Sequence, residues 1–181
     1  YLKANWPVEY MCALMSCAMG DTDKLAEYIE ECRQMKIEVL PPDINKSELD
    51  FVIAGDKIRF GLGAAKGAGE KAIQALIAAR GRLGGFRSLH QLGEHCQPPL
   101  VDRKAVEQLI KCGAFDSLGL KRAALFNGLD DALRLGGLAQ ADRSSGQLSI
   151  FGSLAPAEEP RLPDVAEWPQ ETLLSYEKEV L

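Results

Sequence analysis

The residues here whose type and spacing best suit chemistry are glycines. Gly67-Ala68-Gly69 forms a Gly-x-Gly turn inside Phe60-Gly61-Leu62-Gly63-Ala64-Ala65-Lys66-Gly67-Ala68-Gly69-Glu70-Lys71-Ala72-Ile73, just ahead of a helical pattern. Without side chains at the turn, the backbone can approach a phosphate closely. The amides of Gly67, Ala68, Gly69 and Glu70 can point at an anion with the helix dipole behind them. Lys66 and Lys71 add charge. Contacts of this kind position a phosphate backbone and carry no base information.

Other readings of the turn compete. Gly67-Ala68-Gly69-Glu70-Lys71-Ala72 also fits G-x-G-x-x-A, the dinucleotide fingerprint. That fingerprint needs a βαβ unit and an acidic residue about 20 positions on, and no second parallel strand is expected here. A Walker loop fails because no Gly-Lys-Ser/Thr occurs. A glycine turn can also serve only to pack helices, since lone glycine patterns are weak signals.

Residues 88–113 read as a degenerate second copy of the same unit: a helix, a Pro98-Pro99 turn, then Asp102-Arg103-Lys104 opening a helix. The copy lacks Gly-x-Gly, so Arg103 and Lys104 would reach a phosphate by side chain. No catalytic set stands out. The five cysteines include no C-x-x-C pair and read as small buried hydrophobes of a reduced protein. His90, His95 and Cys96 are clustered, but zinc needs four ligands and no second cluster exists, so no metal site is expected. Asp130 and Asp131 fall in a helical pattern and read as solvated surface.

These residues must be held by short elements. Pro7–Met19 and the stretch from Asp21, a helix cap, to Met35 make a helical hairpin with apolar residues at helical spacing. Val39-Leu40-Pro41-Pro42-Asp43-Ile44-Asn45 is extended, barred from helix by its prolines. Phe51-Val52-Ile53 and Ile58-Arg59-Phe60 flank Ala54-Gly55-Asp56-Lys57 as a short β-hairpin. Further helices are predicted over Glu70–Arg80, from a Ser88 cap to about Cys96, from an Asp102 cap to Gly113, and over Arg122–Leu135. Gly136 to about Val165 reads as a flexible linker, and Trp168–Leu181 as a terminal helix. The fold class is therefore mainly α: a helical hairpin, a short β-hairpin, a tandem helix-hairpin-helix region, a linker and a last helix.

Net charge is −5, unevenly spread. Residues 57–122 carry 12 Lys+Arg against 5 Asp+Glu, while residues 1–56 carry 5 against 11 and residues 123–181 carry 4 against 10. A basic block between acidic flanks is a candidate phosphate-binding surface. No apolar run approaches the ~20 residues that cross a bilayer. With no leader at Tyr1 and reduced cysteines, a cytoplasmic protein with no membrane partner is expected. Both ends read as cut from a longer chain.

With these residues in view, the chain resembles the alpha subunits of bacterial DNA polymerase III, the C-family replicative polymerases. The resemblance runs nearly end to end. It rests on Tyr1-Leu2-Lys3-Ala4 before Pro7-Val8-Glu9-Tyr10-Met11, on Tyr28-Ile29-Glu30-Glu31-Cys32-Arg33, and on Val39 to Asn45. Ile58-Arg59-Phe60-Gly61-Leu62 and Leu109-Ile110-Lys111-Cys112-Gly113-Ala114-Phe115-Asp116 complete it. The family architecture implies the end of the fingers over 1–48, a tandem helix-hairpin-helix DNA-binding region over 49–135, a linker over 136–165, and over 166–181 a helix leading to an oligonucleotide-binding barrel beyond the chain. It also implies that the catalytic carboxylates and their Mg2+ lie upstream of Tyr1, so this segment alone should be inactive and without cofactor. The implied partners are duplex DNA, the sliding clamp, and other holoenzyme subunits through regions outside this chain. Gln147-Leu148-Ser149-Ile150-Phe151 matches the family's clamp-binding pentapeptide, with Ile150 where Leu is commoner. Independently, a polar segment seldom exposes Leu, Ile and Phe together unless a partner buries them. Alternatives are the error-prone paralogue of the same polymerase, a helix-hairpin-helix module of a repair nuclease or ligase, and a helical adaptor that binds no nucleic acid.

Overall fold

The computed structural model describes residues 1–96, 101–144 and 161–181. The predicted Pro98-Pro99 turn and the Gln147–Phe151 pentapeptide lie outside them. A four-residue helix α1 (Leu2–Asn5) precedes the helical hairpin α2 (Pro7–Cys17) and α3 (Thr22–Gln34). Pro7 opens α2, where a missing N–H costs nothing. Asp21 caps α3, its side chain accepting from the Lys24 amide. Met11, Cys12 and Met15 of α2 and Leu25 and Cys32 of α3 are buried together with Phe51, Ile58 and Phe60. This is the first core, and the hairpin covers one side of a small sheet.

The predicted β-hairpin is present as β2 (Val52–Ala54) and β3 (Lys57–Arg59), with Gly55 in the turn. A strand not expected from the sequence joins it: β1 (Val39–Leu40) pairs parallel with β3, giving the order β1-β3-β2. Two residues ahead of Pro41 are too short a run to show periodicity. The expectation of no parallel strand is thus corrected. The dinucleotide reading gains nothing, because β1 reaches β3 through β2 rather than through a crossover helix. The expected boundary at residue 48 runs through this sheet.

The remaining helices build the second core. They are α4 (Glu70–Leu83), α5 (Leu89–His95), α6 (Arg103–Lys111), α7 (Arg122–Ser144) and α8 (Gln170–Val180). Ile73, Leu76, Leu89, Leu92, Val106, Leu109, Phe115, Leu125, Leu129 and Val180 are at most 1% exposed there. The predicted caps hold: Ser88 Oγ accepts from the Gln91 amide and Asp102 Oδ1 from the Ala105 amide. α4 runs past Arg80 to Leu83 with Gly81 inside it, and ends at Gly84 in the left-handed region.

Helix α7 does not stop at Leu135 but continues to Ser144, so residues 136–144 are helical rather than the start of the linker. Gly136-Gly137 reads as a stop in sequence. In the structure Gly136 is where α7 crosses α5 at backbone contact. A Cβ on Gly136 would lie 2.1 Å from the carbonyl carbon of Gly93, and one on Gly93 2.4 Å from the Ala132 oxygen. The two glycines permit a helix approach that any side chain would block.

Two devices join the cores. In the segment after β1, the Ile44 amide donates to the Ala114 carbonyl at 2.7 Å, and the Asn45 side chain bonds both the amide and the carbonyl of Phe86. Asp43, 7% exposed, accepts from Ser117 Oγ, and Arg80 Nη1 donates to the carbonyls of Ile44 and Ser47. The second device is the end of α8. Val180 is buried in the second core, and Leu181 packs against both.

Candidate nucleic-acid interface

The glycine turn is built as the sequence suggests. A 3-10 helix at Leu62–Ala64 leads through Ala65 and Lys66 to Gly67 and Gly69, which take φ of +80° and +73°, and α4 begins at Glu70. Positive φ at both positions explains the glycines. Ala68 is 2% exposed and anchors the turn in the core, while Lys66, Gly67, Gly69, Glu70 and Lys71 are exposed.

Among the described residues no acceptor takes the amides of Gly67, Gly69, Glu70, Lys71 or Ala72. Gly69 caps α4 without a side chain, so the first-turn donors remain open to an anion. The Ala68 amide, one of the four proposed from sequence, donates instead to the Ala65 carbonyl at 3.3 Å. The Lys66 amide donates to the Val180 carbonyl at 2.9 Å, which ties the turn to the end of α8.

The cations of the basic block sort into two groups. Lys57 pairs with Glu38, Arg80 with Glu48, Lys111 with Glu107, Lys121 with Asp164, and Arg122 with Asp116 and Glu177. Flanked by two carboxylates, Arg122 holds its proton even more firmly than an ordinary guanidinium, chiefly through Asp116. Arg59, Arg82 and Arg87 form no ion pair among the described residues, and neither do the three lysines Lys66, Lys71 and Lys104. All three adjoin the turn in sequence or in space. A Cβ on Gly67 would lie 3.7 Å from Lys104 Cε and 3.6 Å from Gln108 Cγ, so α6 lays a lysine against the first hairpin.

Arg103, proposed beside Lys104, faces elsewhere. Its Nε donates to Asp130 Oδ1 and its Nη1 to Glu107 Oε2, both at 2.6 Å, and the guanidinium lies 5.8 Å from the Phe126 ring centroid. Asp130, read as solvated surface, is its partner. Three acids border the turn, one of them Asp50, which lines a depression with Lys66, Gly67 and Gly69. Glu70 accepts from Gln74 Nε2, and Asp102 caps α6; both line the same open depression as Gly67, Gly69 and Lys71. Elsewhere Cys96 is buried in the second core with its thiol pushed up to about 11 by burial, and His95 Nε2 lies 3.8 Å from Glu94. Sequence reasoning missed the segment Asp43–Ser47 as an inter-core clamp and Glu167 as a cap for α7. Its carboxylate accepts from the amides of Arg122 at 2.7 Å and Ala123 at 3.0 Å. No sequence pattern flags a capping acid 45 residues from its helix start.

An open glycine turn in front of one helix, and a second helix pair packed against it, define a helix-hairpin-helix region. The helix-hairpin-helix motif family matches residues 36–125. Along its whole length the chain is 42% identical to DNA polymerase III subunit alpha of Thermus aquaticus, covering 14% of that protein. It is 42% identical over 185 residues to the same subunit of Deinococcus radiodurans, and 40% identical over 185 residues to that of Escherichia coli K12, covering 16% of the latter. In sequence the chain belongs with the DNA polymerase III alpha subunits, as one segment of that family. It spans about one sixth of the relatives' length or less.

Proposed function

We propose that the tandem helix-hairpin-helix region binds duplex DNA by its phosphate backbone without reading sequence. One observation carries this. The unpaired lysines Lys66, Lys71 and Lys104 adjoin the unbonded amides of Gly67, Gly69, Glu70, Lys71 and Ala72, while most other cations of the basic block are neutralised by acids. Likeness to the DNA polymerase III alpha subunits supports a segment of a DNA-directed DNA polymerase, and on this reading the whole protein would carry out template-directed synthesis with Mg2+ held by carboxylates outside this chain. The test is affinity of the full chain for two unrelated duplexes as a function of salt. Equal affinities that fall linearly with log salt support the reading. A strong preference for one duplex, or no salt slope, overturns it. Gly67→Val or Gly69→Val should weaken binding more than Lys71→Ala, because a β-branched residue strains a positive φ and blocks the backbone approach.

The second part of the proposal is that Gln147-Leu148-Ser149-Ile150-Phe151 tethers the chain to a ring-shaped sliding clamp. Support comes from the sequence: the only large apolar residues between Gly146 and Ser153 are Leu148, Ile150 and Phe151. A peptide covering 143–154 should bind the clamp unaided. Phe151→Ala or Leu148→Ala should each cost on the order of 2 kcal/mol, as hot spots do. Failure of the unsubstituted peptide to bind in a clamp titration would end this part and leave the DNA reading intact.

A further inference from the structure

At the far end of α4 from the glycine turn lies a cavity of about 670 Å³ between α5, α7 and residues 161–163. Its size falls within the ~300–1,000 Å³ of ordinary ligand clefts. Leu118, Leu120 and Leu162 give it an apolar floor. Arg87, Arg134 and Arg161 surround that floor. Arg134 pairs with Asp131 at 3.3 Å, whereas Arg87 and Arg161 are exposed and have no carboxylate partner among the described residues. His90 also lines the cavity, and its Nδ1 is enclosed without a protein hydrogen-bond partner.

We propose that this cavity is a docking site for an acidic peptide that carries one large apolar side chain. The aliphatic floor takes the apolar side chain. Arg87 and Arg161 take carboxylates on either side of it. Charge complementarity selects the occupant: among the described residues Arg87, Arg134 and Arg161 face a single acid, Asp131. Among the described residues the floor holds no aromatic ring on which a nucleobase would stack, which favours a peptide over a nucleic-acid strand. The site is separate from the glycine turn, since the 14 residues of α4 span about 20 Å.

The experiment titrates the full chain into two labelled peptides, acetyl-Glu-Asp-Ala-Phe-Asp-Glu-amide and a copy with every acid replaced by its amide. The acidic peptide should bind at least about tenfold more tightly than its neutral copy. Arg87→Glu and Arg161→Glu, both at exposed positions outside the core, should each weaken it about tenfold, and Arg87→Gln less. Leu120→Gln should weaken both peptides. Duplex DNA affinity should be unchanged in the Arg87 and Arg161 variants. Equal binding of the two peptides, or undiminished binding by Arg87→Glu and Arg87→Gln alike, overturns the proposal. So does displacement of the peptide by oligothymidylate whose own binding falls with Arg87→Glu, which would assign the cavity to nucleic acid.

Discussion

Neighbouring side chains on one helix divide the work at this surface. Lys104 lies against Gly67, while Arg103 is spent on Asp130, Glu107 and the face of Phe126. Lys104→Ala should therefore lower duplex affinity and reduce the salt slope by about one. Arg103→Ala should leave both unchanged and cost at most about 1 kcal/mol of stability, because its ion pairs are exposed. A salt titration beside a denaturant melt separates the two, and an Arg103→Ala loss of DNA affinity without loss of stability would contradict the assignment. The cysteines divide in the same way. Cys12, Cys32, Cys96 and Cys112 are buried and Cys17 is exposed. Burial pushes the thiols of Cys32 and Cys96 up to about 11 and that of Cys112 up to about 12. A thiol raised in the folded chain stays protonated while the unfolded chain loses its proton, so stability falls as pH rises above the usual 9.0 toward those values. Under native conditions a thiol reagent should label Cys17 alone, and labelling of the other four should begin together as alkali unfolds the chain.

At the scale of elements, closeness of backbone matters more than propensity. Gly93→Ala or Gly136→Ala should destabilise by roughly 1–3 kcal/mol or more, because the added carbon meets backbone that has nowhere to go. Gly81→Ala, in an exposed position of α4 with no atom within 4 Å of the added carbon, should instead stabilise by about 0.5–1 kcal/mol. Thermal melts of the three variants test the contrast. Helix α7 should also depend on Glu167. Burial alone would raise that carboxyl, but the amides of Ala123, Trp168 and Arg122 together hold it below the usual range. Its contribution is present above pH 4.5 and is lost as pH falls through its lowered folded value. Glu167→Ala should cost about 1 kcal/mol at neutral pH, and less in acid, where the native carboxyl is itself protonated. The sequence discloses such local signals well. Asp21, Ser88 and Asp102 cap the helices they precede, and the Gly-x-Gly turn sits where its spacing puts it. What it hides are choices made by partners far along the chain: Gly93 keeping Gly136 helical, Asp130 occupying Arg103, and β3 drawing Val39–Leu40 into a sheet.

At the scale of the molecule, the described residues form two cores held by a clamp and a wedge. Asp43–Ser47 fastens the sheet side to the helical side, and the end of α8 fills the junction. Because the Lys66 amide hangs on the Val180 carbonyl, the glycine turn is set by a helix remote in sequence. Removing residues 170–181 should leave α2, α3 and the sheet protected in hydrogen exchange, yet speed exchange at Lys66 and weaken duplex binding. Unchanged exchange at Lys66 would show that the turn holds itself. Timing follows from the same bond. A chain leaves the ribosome from its N-terminus, so Lys66 emerges well before Val180, and a contact between such distant residues closes late. The glycine turn is then among the last parts to set, and a half-made polypeptide holds only a loosened version of it.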